Sequence, residues 1–175
     1  MRISLEGKSG GVRVRMRFEQ NRGRWLAVRI ILGVLAFQGI VIGLWAVLAP
    51  HSWYTSFPGF GMHWVAVDGP YNHHLAADVG AFFLALGAVS LYALIRTGVE
   101  SARAAGIGWT VMALPHLIYH AFHKPVEMGT ASFTLSVIAA AALLALGVAL
   151  LVVVPRGPRV ADPDPIDVRF PRRKE

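Results

Sequence analysis

The fold class of this chain is decided by the stretch LAVRIILGVLAFQGIVIGLWAVL, residues 26–48. Only Arg29 near its start and Gln38 near its middle interrupt a run of apolar residues. A helix needs about 20 such residues to cross the hydrocarbon core of a bilayer. The run is also longer than the roughly 7–15 apolar residues of a signal peptide. We therefore predict a retained transmembrane helix here.

Three further apolar stretches follow, at residues 75–95, 105–122 and 133–154. The chain is 55% hydrophobic and 15% charged, with a mean hydropathy of +0.52, which is typical of integral membrane proteins. The third stretch is the shortest and most polar, so we expect it to pack inside the bundle. Together the four stretches predict an all-α fold, a four-transmembrane-helix bundle.

The domain organisation follows from these stretches. Residues 25–154 are the predicted transmembrane domain. Residues 1–24 are a basic N-terminal segment without a clear apolar period. Residues 155–175 are rich in proline and charge, so we expect a disordered basic tail.

The positions of Lys and Arg predict the orientation in the membrane. Lys124, between the third and fourth stretches, is the one exception among 17 such residues. All the others lie before or at the start of the first stretch, between the second and third, or after the fourth. Because cytoplasmic segments carry the excess of Lys and Arg, both termini are predicted to be cytoplasmic in a multi-pass protein of the cell membrane.

Two features of the composition exclude classes of function. The chain has no cysteine, which excludes disulfides, thiolate metal sites and cysteine nucleophiles. The net charge of +7 is compatible with nucleic-acid binding, but the basic residues flank apolar stretches and are explained by membrane orientation. The predicted partners are therefore the lipid bilayer and either a second copy of the chain or another membrane protein, with no nucleic acid.

Histidines supply the main functional signal, because all 7 fall on the predicted extracytoplasmic side. Two sets have helical spacing: His73, His74 and Asp78 in the second stretch, and His116, His120 and His123 in the third. Residues four or seven positions apart share one face of a helix. Pro115 is expected to kink its helix and to turn the second set inward. Asn72 is predicted to cap the helix that carries the first set.

These two sets are expected to meet in a metal site. The second and third stretches are joined by a short connection, so their helices should be antiparallel neighbours with facing outer ends. Converging imidazoles and a carboxylate suit a divalent transition metal, namely Zn, Fe, Mn or Cu. The predicted metal ligands are His74, Asp78, His116 and His120 as the core, His123 and His73 next, and His63 and Glu127 as additional candidates.

Other interpretations of the histidines stay open. They could form a structural hydrogen-bond cluster, a proton relay or a pH sensor. A haem held by one histidine from each helix is the alternative cofactor. The predicted function is accordingly a metal-dependent oxidoreductase or a metal-handling protein. The alternatives are a bis-His haem electron carrier and a non-catalytic accessory subunit of a membrane complex.

The loop at residues 49–72 is rich in Trp, Tyr and Phe and has no Lys or Arg. Two interpretations stay open for it: a lid folded over the outer end of the bundle, or a simple aromatic belt at the membrane interface. In the first stretch, Gly39 and Gly43 form a GxxxG pair, which lets another helix approach closely within the monomer or in a dimer.

Two motifs carry a resemblance to a known family. The segments GPYNHHLAADVGAFFLALG (69–87) and LPHLIYHAFHKP (114–125) resemble a pattern found in small four-helix membrane proteins of actinobacteria, whose looser architecture is similar to that of DoxX-like proteins. The match covers Phe57 to His123 and leaves out the tails. The resemblance implies a four-helix membrane fold and no particular reaction.

Overall fold

The structure is a computed structural model that describes residues 2–8, 11–17, 21–156 and 165–169. The chain divides into two compact units, one formed by Arg24–Val154 and one formed by the two chain ends. The first unit is helical, and the second contains a β-sheet.

Four long helices and one short helix make up the helical unit. They are α1 (Arg22–Leu48), α2 (Pro50–Ser56), α3 (His73–Arg96), α4 (Val99–Phe122) and α5 (Thr130–Val153). The first three apolar stretches lie within one long helix each, and the fourth ends at Val154, one residue after α5. The prediction of a helical fold is therefore confirmed.

Three of these helices, α1, α3 and α5, are long and apolar enough to cross a membrane. The helix α4 has 24 residues, as many as α3. Its first turns carry Glu100 and Arg103, and its last turns carry His116 and His120. These polar side chains lower its hydropathy below that of the other three.

The helix ends follow local sequence signals. The side-chain oxygen of Asn72 accepts a hydrogen bond from the backbone N–H of Leu75 at 3.0 Å, so the predicted N-cap of α3 is confirmed. Thr97 ends α3 in the left-handed conformation, with φ at 46°, and Gly98 caps α4. This short turn makes α3 and α4 neighbours in sequence and in space.

Glycines set the close approach of α1 to α3. A Cβ on Gly39 would lie 2.8 Å from the Cα of Gly87, and one on Gly43 would lie 2.5 Å from the backbone nitrogen of Leu84. Neither position has room for a methyl group. The GxxxG pair is thus used inside the monomer, where small residues let two helix backbones touch.

A buried hydrogen bond joins α3 to α4 in the core. The indole N–H of Trp109 donates to the hydroxyl oxygen of Ser90 at 2.7 Å, and both residues are fully buried. The Ser90 hydroxyl in turn donates to the carbonyl of Leu86 at 2.9 Å. Around this pair packs an apolar cluster contributed by all four long helices, including Leu32 and Leu150.

The chain ends form a three-stranded antiparallel sheet in the order β1-β2-β5, built from β1 (Arg2–Lys8), β2 (Gly11–Arg17) and β5 (Ile166–Arg169). Arg13 donates two hydrogen bonds to the carboxylate of Asp167, at 2.7 and 3.0 Å. Ile166–Arg169 therefore form a strand in the structure, whereas the sequence analysis expected disorder throughout residues 155–175. That strand depends on a partner from the other end of the chain, which a local pattern does not reveal. Residues 157–164 and 170–175 lie outside the described residues.

Candidate functional site

A cavity of about 540 Å³ lies within the helical unit. All four long helices and the loop at residues 49–72 contribute to its wall. Its volume falls in the roughly 300–1,000 Å³ range of pockets that hold small organic ligands. Most of the wall is apolar, formed by side chains such as Ile42, Val79, Phe83 and Leu143.

The loop at residues 49–72 covers one end of this cavity, and we call it the aromatic lid. It contains α2 and a small hairpin of β3 (Pro58–Gly59) and β4 (Met62–His63). Trp53 is only 7% exposed and packs in a cluster with Ala46 of α1 and Ala76 of α3. The loop therefore folds over one end of the helical unit, as the lid interpretation predicts, and its side of the membrane stays a prediction.

Hydrogen bonds within the lid hold its shape. The Tyr54 hydroxyl donates to the carbonyl of Gly69 at 2.6 Å. His63 donates its Nδ1–H to the carbonyl of Thr55 at 2.6 Å, because a carbonyl only accepts. His63, predicted as an additional metal ligand, is exposed and does not line the cavity.

His116 and His120 provide a polar end to the cavity. Both lie on α4, one turn apart, and both line the cavity wall. Their rings contact each other edge to face, with centroids 4.6 Å apart. Each of the two residues is partly buried.

Asp68 of the lid is a site residue that the sequence analysis missed. Its carboxylate accepts a hydrogen bond from the hydroxyl of Tyr119, at 3.1 Å to Oδ2. Its Oδ1 lies 3.4 Å from Nε2 of His123. A signal for Asp68 did exist, because it is the only Asp, Glu, Lys or Arg between residues 49 and 72. A lone charge in an aromatic loop is a candidate for a polar contact elsewhere in the fold.

The first predicted set of ligands lies apart from the cavity wall. His74 Nε2 and Asp78 Oδ2 are 3.4 Å apart, with 88% and 50% of their side chains exposed. The ring of His73 contacts Tyr71, with centroids 6.4 Å apart. None of these three residues on α3 lines the cavity.

The predicted ligands thus make different contacts in the structure: His74 with Asp78, His116 with His120, and His123 with Asp68, which was not predicted. Among the residues that the structure describes, no group of three or more His, Asp or Glu side chains is arranged around a common metal position. Glu127 is exposed in the connection before α5. The metal site and its ligands stay a prediction.

Comparisons of this chain with protein-family models, with curated proteins and with solved structures find no match. The resemblance to small four-helix actinobacterial membrane proteins therefore stays a prediction.

Proposed function

We propose that this chain is a four-span membrane protein that binds a small, mainly apolar organic molecule in the cavity under the aromatic lid. The observation that carries the proposal is the cavity itself, about 540 Å³ with a mainly apolar wall from four helices and the lid. Cavities between the helices of a bundle are a common place for ligand sites.

The assignment of α4 as the fourth span rests on its length and its packing. Its 24 residues extend about 36 Å, enough for a hydrocarbon core of roughly 30 Å. Its small buried residues and Trp109 pack into the core. His116 and His120 line the cavity, so they need not meet lipid.

The proposed orientation places both termini in the cytoplasm and the aromatic lid on the extracytoplasmic side. Its support is the distribution of Lys and Arg along the chain. With this orientation, the cavity lies at the depth of the outer leaflet, where apolar and amphiphilic molecules concentrate. A ligand can then enter from the bilayer.

A second candidate function is favoured by the contact between His116 and His120. Two imidazoles one helical turn apart beside a cavity suit a transition metal such as Zn, Fe, Mn or Cu. Because the pair supplies only two imidazoles, the coordination would be completed by the Asp68 carboxylate, which also lines the cavity, by a bound molecule or by water. This arrangement would serve a metal-dependent oxidoreductase or a metal-handling protein.

Haem and an accessory role are the remaining alternatives. A bis-His haem between α3 and α4 needs a histidine from each helix, but His73 and His74 do not line the cavity. An accessory subunit without a cofactor would use the histidines as hydrogen-bonding groups only.

Cavity binding can be tested with an apolar probe and with a variant in which a larger side chain fills the cavity. Ala140 lines the cavity and is 3% exposed, whereas its neighbour Ala141 is exposed and is not part of the wall. Purified protein is titrated with 2-isopropenylnaphthalene, and native mass spectrometry counts the probe molecules on each chain. We expect one probe per chain, binding about tenfold weaker in Ala140→Leu and unchanged in Ala141→Leu.

The proposal would be overturned if binding of the probe did not saturate and were equal in Ala140→Leu and Ala141→Leu. Size-exclusion profiles and thermal unfolding of the two variants check that each is folded.

Elemental analysis and a visible spectrum of the same samples test the metal and haem alternatives. Stoichiometric metal that is lost in a His116→Ala/His120→Ala variant would support the second candidate, and a Soret band would support haem.

A further inference from the structure

One end of the helical unit, which we call the arginine end, carries four arginines near the start of α1, in the last turn of α3 and in the second turn of α4: Arg24, Arg29, Arg96 and Arg103. Residues within three positions of them pack into the same buried cluster, namely Val28, Ala93 and Ala102. The helix ends that carry these arginines therefore lie side by side. Within residues 24–154, all of which the structure describes, Glu100 is the only carboxylate at this end.

The other end of the helical unit has the opposite balance of charge. Three carboxylates lie there, those of Asp68, Asp78 and Glu127, with a single lysine, Lys124. Such a separation of charge attracts anions to the arginine end and repels them from the other end.

Two of the four arginines are available to an external partner. Arg29 and Arg96 are exposed, and in the part of the chain that the structure describes neither guanidinium forms a hydrogen bond or an ion pair. Arg24 differs, because it donates to the carbonyls of Val152 and Val153, at 2.9 Å each. Its guanidinium is thereby held at the C-terminal end of α5, so we assign the external contact to Arg29 and Arg96.

Exposed apolar side chains lie beside both available arginines. Leu26 precedes Arg29 by three positions and is exposed. Tyr92 precedes Arg96 by four positions and is also exposed. Residues three or four positions apart are neighbours on a helix surface. A small soluble anion would contact the guanidinium groups alone, whereas an amphiphilic anion would also contact these apolar side chains.

We infer that the arginine end binds an anionic phospholipid, with the headgroup at Arg29 and Arg96 and the acyl chains along Leu26 and Tyr92. Both arginines belong to helices that are long and apolar enough to cross a membrane, so phospholipid is the anion that they meet. Basic residues at the end of a membrane helix attract anionic headgroups. The inference goes beyond the proposed cavity ligand and does not depend on it, because neither arginine lines the cavity.

Native mass spectrometry of the full chain in detergent can measure this binding. Phosphatidylglycerol and phosphatidylcholine with identical acyl chains are titrated, and the bound lipids are counted. We expect phosphatidylglycerol to bind about tenfold more tightly, because only its headgroup has a net negative charge. Equal binding of the two lipids would overturn the inference.

A competition experiment separates the lipid from a free anion. Inorganic phosphate should displace phosphatidylglycerol no better than sodium chloride of the same ionic strength, because phosphate has no acyl chains to contact Leu26 and Tyr92. Stronger displacement by phosphate would show a simple anion site and would overturn the assignment to phospholipid.

Variants with one positive charge fewer test the two arginines. We expect Arg29→Gln and Arg96→Gln each to weaken phosphatidylglycerol binding about fivefold and to leave phosphatidylcholine binding unchanged. Lys124→Gln is the matched control, because it removes the same charge from the other end of the unit. It should bind phosphatidylglycerol as the native protein does.

Two results with these variants would overturn the assignment. A loss of equal size in Lys124→Gln would mean that net charge alone attracts the lipid. Unchanged binding in either arginine variant would mean that this pair does not hold the headgroup. Thermal unfolding in the same detergent checks that each variant is folded.

Discussion

The carboxylate of Asp68 accepts a hydrogen bond from the hydroxyl of Tyr119, with 3.1 Å between Oδ2 and the phenolic oxygen. This bond joins the aromatic lid to α4 across 51 residues of chain. The ring of Tyr119 also stacks on His123, with centroids 4.8 Å apart. Because Tyr119 and Asp68 both line the cavity, the bond joins the lid to α4 at the cavity wall.

Removing the Tyr119 hydroxyl should loosen the lid. In Tyr119→Phe the ring contact with His123 is kept and the bond to Asp68 is lost. Since such a bond contributes about 0.5–1.5 kcal/mol, amide hydrogen exchange in residues 49–72 should become roughly two- to tenfold faster. Tyr71→Phe is the control, because it also removes an exposed phenol from this region. Equal exchange in both variants would contradict the role of Asp68.

Alanine at Gly39 should destabilise the bundle, whereas alanine at Gly33 should not. A Cβ at Gly39 would lie 2.8 Å from the Cα of Gly87, but one at Gly33 would meet nothing within 4 Å. Overpacking typically costs about 1–3 kcal/mol, and replacing an exposed helical glycine gains up to about 1 kcal/mol. Thermal unfolding in detergent should therefore shift downward for Gly39→Ala alone. A downward shift of equal size in Gly33→Ala would argue against the close α1–α3 contact.

Loss of the Ser90 hydroxyl should leave Trp109 without its acceptor. Ser90→Ala should lower the free energy of unfolding by about 1 kcal/mol. This value is near the low end of the cost of leaving a buried donor without an acceptor. It is also close to the contribution measured for hydrogen bonds between membrane helices. In a Trp109→Phe background the same change should cost less, because no N–H remains to be satisfied. A double-mutant cycle by steric trapping or denaturant unfolding measures the difference. Identical costs in both backgrounds would mean that the bond contributes nothing.

His116 should be important for metal binding, and His74 should not. His116 lines the cavity, whereas the side chain of His74 is 88% exposed and does not line it. We expect His116→Ala to weaken binding of metal about tenfold or more, because one of the two adjacent imidazoles is lost. His74→Ala should bind as the native protein does. The reverse result would place the site at the N-terminal end of α3 instead.

Much of the helical unit could be predicted from local sequence. Apolar stretches of about 20 residues are typical of membrane-spanning helices. Each one falls on a long helix of the structure, and three of those helices are long and apolar enough to cross a membrane. Asn72 was recognisable as a cap because its side chain bonds a backbone group only three residues away. The site was predicted only in part. His116 and His120 line the cavity, but Asp68 was missed, and His74 and Asp78 lie apart from the cavity wall.

The sequence by itself determined the helices, their apolar, membrane-type composition and the spacing of histidines along each helix. These features depend only on residues within one or two turns of each other. Only the tertiary structure decided which polar groups meet. Tyr119 reaches Asp68 and Arg13 reaches Asp167 across long separations in the chain. Such partners depend on the rotation of each helix about its axis and on the path of the loops. The rotation of α1 against α3 is fixed by the packing of small residues such as Gly39 and Gly87.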